Sequence, residues 1–213
     1  MSETAGASAQ LEPEDQARAN FYALLARLFR EAPDAALLRS IAGAPPLAPS
    51  ESVSGGDDPA SELAGAWNDL RAASERADAD AVRDEYQALF IGVGRSEVSL
   101  YASHYLGPQS GRPLAEIRAS LAELGLARRP TESEFEDHIA LVLETMRMLI
   151  AGDADRAPAA ISEQRSFFDR HLITAAPKCC NAIRESSVAN YYRYVAQFTN
   201  SFVVIEEASF AIA

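Results

Sequence analysis

Apolar side chains recur every three or four residues along most of this chain, the spacing that puts them on one face of a helix. The first such segment runs from about Pro13 to Arg30, and proline suits the first position of a helix. Further helices are predicted near residues 34–42, 58–77, 80–92, 113–125 and 133–151, then from 158, from 177 and from 187 to the end. No segment is predicted to form a strand. Residues 202–205 have β propensity, but they continue the apolar stripe of the last predicted helix.

This pattern predicts an all-α protein, an irregular bundle of about eight or nine helices. We expect residues 1–11 to be a disordered tail and residues 12–213 to form a single domain. Residues 92–112 show no helical period and contain several glycines, so a hinge between two lobes would fall there.

Residues 133–150 are the most informative stretch. Ser133 followed three residues later by Glu136 has the spacing of a capping box, which predicts that a helix begins at Ser133. The predicted apolar stripe of this helix is Phe135, Ile139, Val142, Met146 and Leu149. Its first turn would hold acidic groups beside one histidine, namely Glu134, Glu136, Asp137 and His138.

Two interpretations of Asp137 and His138 stay open at this point. Acidic groups are stabilised at a helix N-terminus by its partial positive charge, so the pair is explained by a capped, solvated helix start. A histidine is less suited to that end, and both side chains would point away from the apolar stripe, which favours a binding role. The aromatic segment 99–106 offers the same choice, since Tyr101 and Tyr105 either fill a gap between helices or form a pocket wall.

The chain shows no pattern of an enzyme or a metalloprotein. Its three histidines, at 104, 138 and 171, are far apart, and Glu134 precedes His138 by four residues only once. Phosphate-binding and nucleophile-elbow motifs are absent. We therefore expect no catalytic residue, no bound metal and no cofactor. The adjacent Cys179 and Cys180 favour reduced, structural thiols over a redox or metal site.

The composition limits the classes of molecule that this protein is expected to bind. The net charge is −12 and the sequence pI is about 4.7, which argues against nucleic acid and anionic membranes. A basic peptide partner fits this charge, although acidity also keeps a protein soluble. The first fifteen residues lack the basic and apolar regions of a signal peptide, and no apolar run reaches the roughly 20 residues of a membrane span, so we expect a cytoplasmic protein.

Three short motifs, in order, resemble those of the TorD/DmsD/NarJ family of molybdoenzyme maturation chaperones, also called redox enzyme maturation proteins. They are Tyr-Gln-Ala-Leu-Phe-Ile-Gly at 86–92, Leu-Tyr-Ala-Ser-His-Tyr at 100–105 and Glu-Phe-Glu-Asp-His-Ile at 134–139. The correspondence continues through Phe167-Phe168, His171-Leu172 and Ala176-Pro177, and covers most of residues 15–205.

The resemblance implies a TorD-like helical fold and a non-enzymatic assembly chaperone. Such a protein would bind the leader or N-terminal region of a molybdopterin-containing oxidoreductase subunit. It would hold that subunit for cofactor insertion and, if the subunit is exported, until twin-arginine translocation. The resemblance places the partner site at Glu134, Glu136, Asp137, His138, Tyr101, Ser103 and Tyr105. It leaves open whether the protein is a monomer or a homodimer.

A second hypothesis is a small helical enzyme or ligand-binding regulator. In that case Asp137 and His138 would act as an acid–base pair.

Overall fold

The computed structural model describes residues 11–48, 58–92, 96–106, 113–129, 131–154 and 156–212, and within these ranges it has ten α-helices and no β-strand. The all-α prediction is therefore confirmed. The helices are α1 (Pro13–Arg30), α2 (Ala35–Gly43), α3 (Pro59–Arg76), α4 (Ala79–Tyr86), α5 (Ala102–Leu106), α6 (Pro113–Glu123), α7 (Ile139–Ala151), α8 (Ile161–His171), α9 (Ala175–Glu185) and α10 (Tyr192–Ile212).

Three aspartates cap the early helices, because their carboxylates accept hydrogen bonds from the otherwise unpaired N–H groups of a first turn. Asp34 caps α2, Asp58 caps α3 and Asp78 caps α4. The observed cap of α4, Asp78, thus lies two residues before Asp80, the cap predicted from the sequence. A π-helical turn, Gln87–Ile91, continues α4 and ends at Gly92, whose φ of 60° suits glycine.

The predicted start of α7 at Ser133 is wrong. Helix α7 begins at Ile139, and the side chain of His138 is its cap. Residues 131–138 instead form turns across the protein surface, and we call this segment the acidic strap. Its carboxylates have partners on distant elements, described below, and these partners hold it out of the helix. Phe135, predicted to lie on the apolar stripe, is 52% exposed.

Other boundaries differ for similar reasons. Helix α8 begins at Ile161 and not at Pro158, because the Glu163 side chain accepts a hydrogen bond from the Ala160 N–H at 2.9 Å. Helix α9 begins two residues before Pro177. Helix α10 begins at Tyr192 and not near 187, because the buried carboxylate of Glu85 in α4 accepts N–H hydrogen bonds from residues 190, 191 and 192. The short α5 lies in a region predicted to have no helix.

The hydrophobic core contains helices from both ends of the described chain. Helix α1 packs along α7, while α10 packs along α3 and α9. An aromatic cluster ties α1, α3 and α10 together, with ring centroids 5.1–5.4 Å apart among Phe21, Trp67 and Phe198. Such edge-to-face contacts add about 0.5–1.5 kcal/mol each to the burial of the rings.

A buried ion pair adds a specific link between α1 and α10. Arg18 donates two hydrogen bonds to the Glu206 carboxylate, at 2.8 and 2.9 Å, and the Tyr22 hydroxyl donates a third at 2.9 Å. Glu206 is 1% exposed. A buried carboxylate is tolerated where it is paired and hydrogen-bonded in this way, so this group fixes how α1 lies against α10.

Two predictions concern residues outside the described ranges. The predicted N-terminal tail falls on residues 1–10, apart from Leu11. The predicted hinge region includes residues 93–95 and 107–112. The division into two lobes stays a prediction. None of the described helices is long and apolar enough to cross a membrane.

Candidate functional site

A cleft of about 480 Å³ lies where the end of α1, the π-helical turn and the acidic strap meet, and we call it the polar cleft. Charged and aromatic side chains alternate around it, and its lining residues are Arg30, Glu31, Ala32, Arg83, Tyr86, Gln87, Phe90, Ile91, Ser96, Leu100, Tyr101, Glu134 and His138.

One wall of the polar cleft is fixed by Tyr86. Its hydroxyl donates to the carbonyl oxygens of Phe29, at 3.3 Å, and Arg30, at 2.8 Å, which are unpaired groups at the end of α1. Burial raises the pKa of Tyr86 to about 12, so the hydroxyl stays a donor at neutral pH. The π-helical turn that follows presents Phe90 and Ile91 to the cleft, and Ile91 is 55% exposed.

The opposite wall forms where the acidic strap pairs with residues 100–102. The Ala102 N–H donates to the Asp137 carbonyl at 2.8 Å, and the Ile139 N–H donates to the Leu100 carbonyl at 2.7 Å. This antiparallel pairing forces Tyr101 beside His138, with ring centroids 5.2 Å apart and ring planes nearly perpendicular. The second and third sequence motifs therefore meet in space.

Glu134 completes this wall, because its carboxylate accepts a hydrogen bond from the Tyr101 hydroxyl. Burial and the negative charge of Glu134 both raise the pKa of Tyr101, so the tyrosine keeps its proton. The pair therefore presents a carboxylate that is held in place by a tyrosine hydroxyl in the lining of the cleft.

The sequence analysis expected Asp137 and His138 to project from the first turn of a helix. In the structure both residues are buried. The Asp137 carboxylate accepts a hydrogen bond from the Ser103 N–H at 3.2 Å and so caps α5. His138 Nδ1 accepts one from the Ala140 N–H at 3.2 Å and caps α7. Burial lowers the pKa of His138, and nearby Arg30 lowers it further against the opposing effect of Glu134. Both residues thus have structural tasks that local spacing did not reveal.

The other predicted site residues lie away from the polar cleft. Glu136 turns to the far side of the acidic strap, where it forms ion pairs with Arg118 at 3.0 Å and Arg128 at 3.7 Å. Ser103 is exposed on α5. The Tyr105 hydroxyl donates to the Ser99 carbonyl at 2.6 Å. The structure therefore gathers Tyr101, Glu134 and His138 in one cleft, supported from behind by Asp137.

A second cleft of about 470 Å³, the apolar groove, lies between α1, α7 and the loop before the acidic strap. Alanine and leucine side chains and Met148 supply most of its floor, and arginine and glutamate side chains surround it. Arg30 lines both clefts, and its guanidinium forms an ion pair with Glu132 of the strap. The two clefts are thus neighbours with one charged pair at their common edge.

Sequence reasoning missed several residues of this region. Tyr86 and Phe90 lie within the first motif of the resemblance, so that motif was the signal for them. Arg30 and Glu132 gave no signal, because they are 102 residues apart and neither belongs to a motif. Ile91 lies within the same motif, whereas Arg83 was assigned only to a helix.

The two cysteines lie in the core, and no metal site forms around them within the described residues. Cys179 and Cys180 are free and buried. Burial raises the pKa of the Cys179 thiol to about 12 and that of Cys180 well above its ordinary value, so both thiols are protonated and unreactive at neutral pH. Among the described residues, no three His, Cys, Asp or Glu side chains come together as a metal site.

Comparison with known proteins finds a matching family and similar curated proteins. Residues 57–181 match the family described as nitrate reductase delta subunit. The chain is 28% identical over 121 residues to "Probable Tat proofreading chaperone DmsD" of Haemophilus influenzae, covering 55% of this chain and 56% of that protein. It is also 28% identical over 108 residues to "Chaperone protein TorD" of Salmonella bongori, covering 51% of this chain and 48% of the other. The chain spans about half the length of these curated relatives.

Proposed function

This chain belongs to the nitrate reductase delta subunit family, and from that premise we propose that it is a maturation chaperone for a molybdopterin-containing oxidoreductase. Its client would be the catalytic subunit of that enzyme. The chaperone would bind the leader or N-terminal region of the client and hold it for cofactor insertion. If the client is exported, it would be held until twin-arginine translocation. In this proposal the chain is cytoplasmic, is not an enzyme, and leaves the molybdenum cofactor to the client.

The observation that carries this proposal is the polar cleft inside the matched region. All but three of its lining residues fall within residues 57–181. Two relatives of this chain are named as a probable Tat proofreading chaperone and a chaperone protein. The cleft is where the three motifs of the resemblance come together.

The composition of the cleft fits a partner that is both basic and apolar. The exposed Ile91 lines the cleft, and the exposed Phe135 lies just outside its lining with its ring centroid 6.3 Å from that of Tyr101, so both offer apolar surface that a leader segment can cover. Burying one such side chain contributes roughly 1.5–3 kcal/mol. The carboxylates of Glu31 and Glu134 offer acceptors for the arginines of the partner, which form strong charge-assisted hydrogen bonds.

The acid–base alternative has no comparable support. Asp137 and His138 accept hydrogen bonds from two different backbone N–H groups and cap two different helices. Both side chains are more than nine-tenths buried. A general base must reach the proton of a substrate, and these groups are occupied within the fold.

The first experiment is purification of the tagged full chain from its native cells, followed by mass spectrometry of what copurifies. We expect a molybdopterin oxidoreductase subunit. The second is titration of a labelled leader peptide of that subunit. Binding should weaken as salt rises, because exposed charges are screened over roughly 8–10 Å, and the apolar contacts should leave residual binding at high salt.

Matched variants connect the binding to the polar cleft. Glu134→Gln and Ile91→Ser should each weaken the peptide, since they remove a carboxylate and an exposed apolar contact of the cleft. Glu123→Gln on α6 and Val204→Ser on α10 make the same chemical changes on exposed side chains elsewhere and should have no effect. Equal loss in all four variants, or no leader binding at low salt, would refute the proposal.

A further inference from the structure

The side chain of Arg30 reaches from the end of α1 to the acidic strap. Its guanidinium forms an ion pair with the Glu132 carboxylate, at the edge shared by the polar cleft and the apolar groove. An arginine of this chain therefore occupies carboxylate surface beside the cleft that is proposed to receive arginines of the client.

The two members of this pair are held very differently. The Glu132 side chain is 13% exposed, and its Oε1 accepts a hydrogen bond from the Glu134 N–H at 3.2 Å, so the carboxylate has a fixed orientation. The Arg30 side chain is 44% exposed and sits on a long flexible stem. Arg30 has Glu132 as its side-chain partner in the described structure. The Glu132 carboxylate is thus held in place by the fold, whereas the Arg30 guanidinium can move away from it.

The surroundings favour a guanidinium over an ammonium ion. Glu132 and Glu134 are two residues apart on the strap, and Tyr101 reaches the Glu134 carboxylate with its hydroxyl. A planar guanidinium can donate to more than one carboxylate oxygen at once and stack on an aromatic ring, whereas an ammonium is a point charge.

We propose that Arg30 is an autoinhibitory contact, and that Glu132 with Glu134 forms the subsite that takes an arginine side chain of the client once Arg30 has left. This inference rests on the proposed function. Glu132 would then determine specificity for arginine. Arg30 would lower the apparent affinity for a partner, because the partner must displace it from Glu132 to bind.

The expected size of the effect follows from competition. A half-exposed ion pair favours its closed form by a factor of roughly 1.4–5, so the apparent affinity of a competing arginine is reduced about two- to sixfold. Removing Arg30 should restore that factor.

The experiment is a binding titration with the full chain and a labelled synthetic peptide that carries two adjacent arginines before an apolar segment. Arg30→Gln should bind it about two- to sixfold more tightly than the wild type. Glu132→Gln should bind it more weakly, and in that background Arg30→Gln should give no further gain. A peptide with lysines in place of the arginines should gain less from Arg30→Gln.

Arg83→Gln is the matched control. Arg83 also lines the polar cleft, but its guanidinium pairs with the exposed Asp80 at 2.8 Å and does not touch the strap. If removal of any positive charge near the cleft were enough, Arg83→Gln would strengthen binding as much as Arg30→Gln does, and that result would overturn the proposal. Thermal melting of each variant shows that it remains folded.

The outcomes separate this inference from the function beneath it. Wild-type binding that Arg30→Gln leaves equal or weaker would overturn the autoinhibitory role alone. No binding by the wild type or by any variant would overturn the proposed function and this inference together.

Discussion

The buried carboxylate of Asp137 gives the sharpest test of how the site is built. It is 3% exposed and accepts a hydrogen bond from the Ser103 N–H at 3.2 Å. Asp137→Ala removes this cap of α5, which costs about 0.5–2 kcal/mol for typical caps. For a protein of this size that loss lowers the melting temperature by roughly 1–8 °C. Asp137→Asn keeps an acceptor oxygen and should change stability by less than about 0.5 kcal/mol.

The assay is urea unfolding followed by circular dichroism, with thermal melting as a second measure. The midpoint should fall for Asp137→Ala with an unchanged m-value, as expected when stability changes but the exposed surface does not. Phe135→Ala, two residues away on the acidic strap and 52% exposed, is the control and should stay within about 0.5 kcal/mol of the wild type.

Two results would refute this reasoning. If Asp137→Ala were as stable as the wild type, the cap would contribute nothing. If Asp137→Asn were as unstable as Asp137→Ala, the carboxylate would act through its charge and not as an acceptor. Client binding then adds a separate readout. An Asp137→Asn variant that melts normally but loses the leader peptide would show that Asp137 contributes to partner binding and does not serve the fold alone, as the family resemblance implied.

Three further predictions follow from the described residues. Glu206→Ala should lower stability by up to about 3–5 kcal/mol in urea unfolding, because it leaves the mostly buried Arg18 with the 40% exposed Asp15 as its remaining ion-pair partner and removes the acceptor of the buried Tyr22 hydroxyl, and Glu207→Ala on the exposed side of α10 should not. Burial, with a smaller effect of Arg170, lowers the pKa of His171 from 6.5 to about 4, so the unfolded chain binds a proton in that range and the folded chain does not. Stability should therefore fall as pH drops from 6.5 to 4, and His171→Gln should reduce that slope. Purified protein should carry less than one equivalent of zinc, iron or molybdenum by elemental analysis, and a chelator-resistant equivalent would contradict this.

Local patterns predicted the helices well where both ends carry local signals. Helix α1 begins at Pro13 and ends at Arg30, as predicted, and α3 begins at Pro59 beside its Asp58 cap. These signals act within one turn of the helix, so the sequence alone contains them. The family resemblance was likewise carried by short motifs that lie inside the matched region.

The start of α7 was mispredicted because its apparent signals have distant partners. Ser133, Glu134 and Glu136 have the spacing and charge of a first turn. In the fold, however, Glu134 meets the Tyr101 hydroxyl and Glu136 meets Arg118. Contacts between residues that are 33 and 18 positions apart are not visible in a local window. The same reason explains why the Arg30–Glu132 pair was missed.

The candidate site was predicted in part. The resemblance named Tyr101, Glu134 and His138, which do meet in one cleft. It also named Tyr105 and Glu136, which face other elements. A motif identifies residues that lie near a site in the chain, but the direction of each side chain depends on packing between elements that the motif does not contain.

The aromatic cluster of α1, α3 and α10 has a consequence for how this protein folds. Tyr22 and Glu206 are 184 residues apart and yet share a hydrogen bond. Closing so long a loop carries an entropic cost before any contact forms, and such non-local contacts slow folding. Helix α1 therefore cannot bury its aromatic face until α10 has been synthesised and docked. Until then Phe21 and Trp67 lack the Phe198 ring that packs against both, so a protein proposed to protect another polypeptide passes through an aggregation-prone stage of its own.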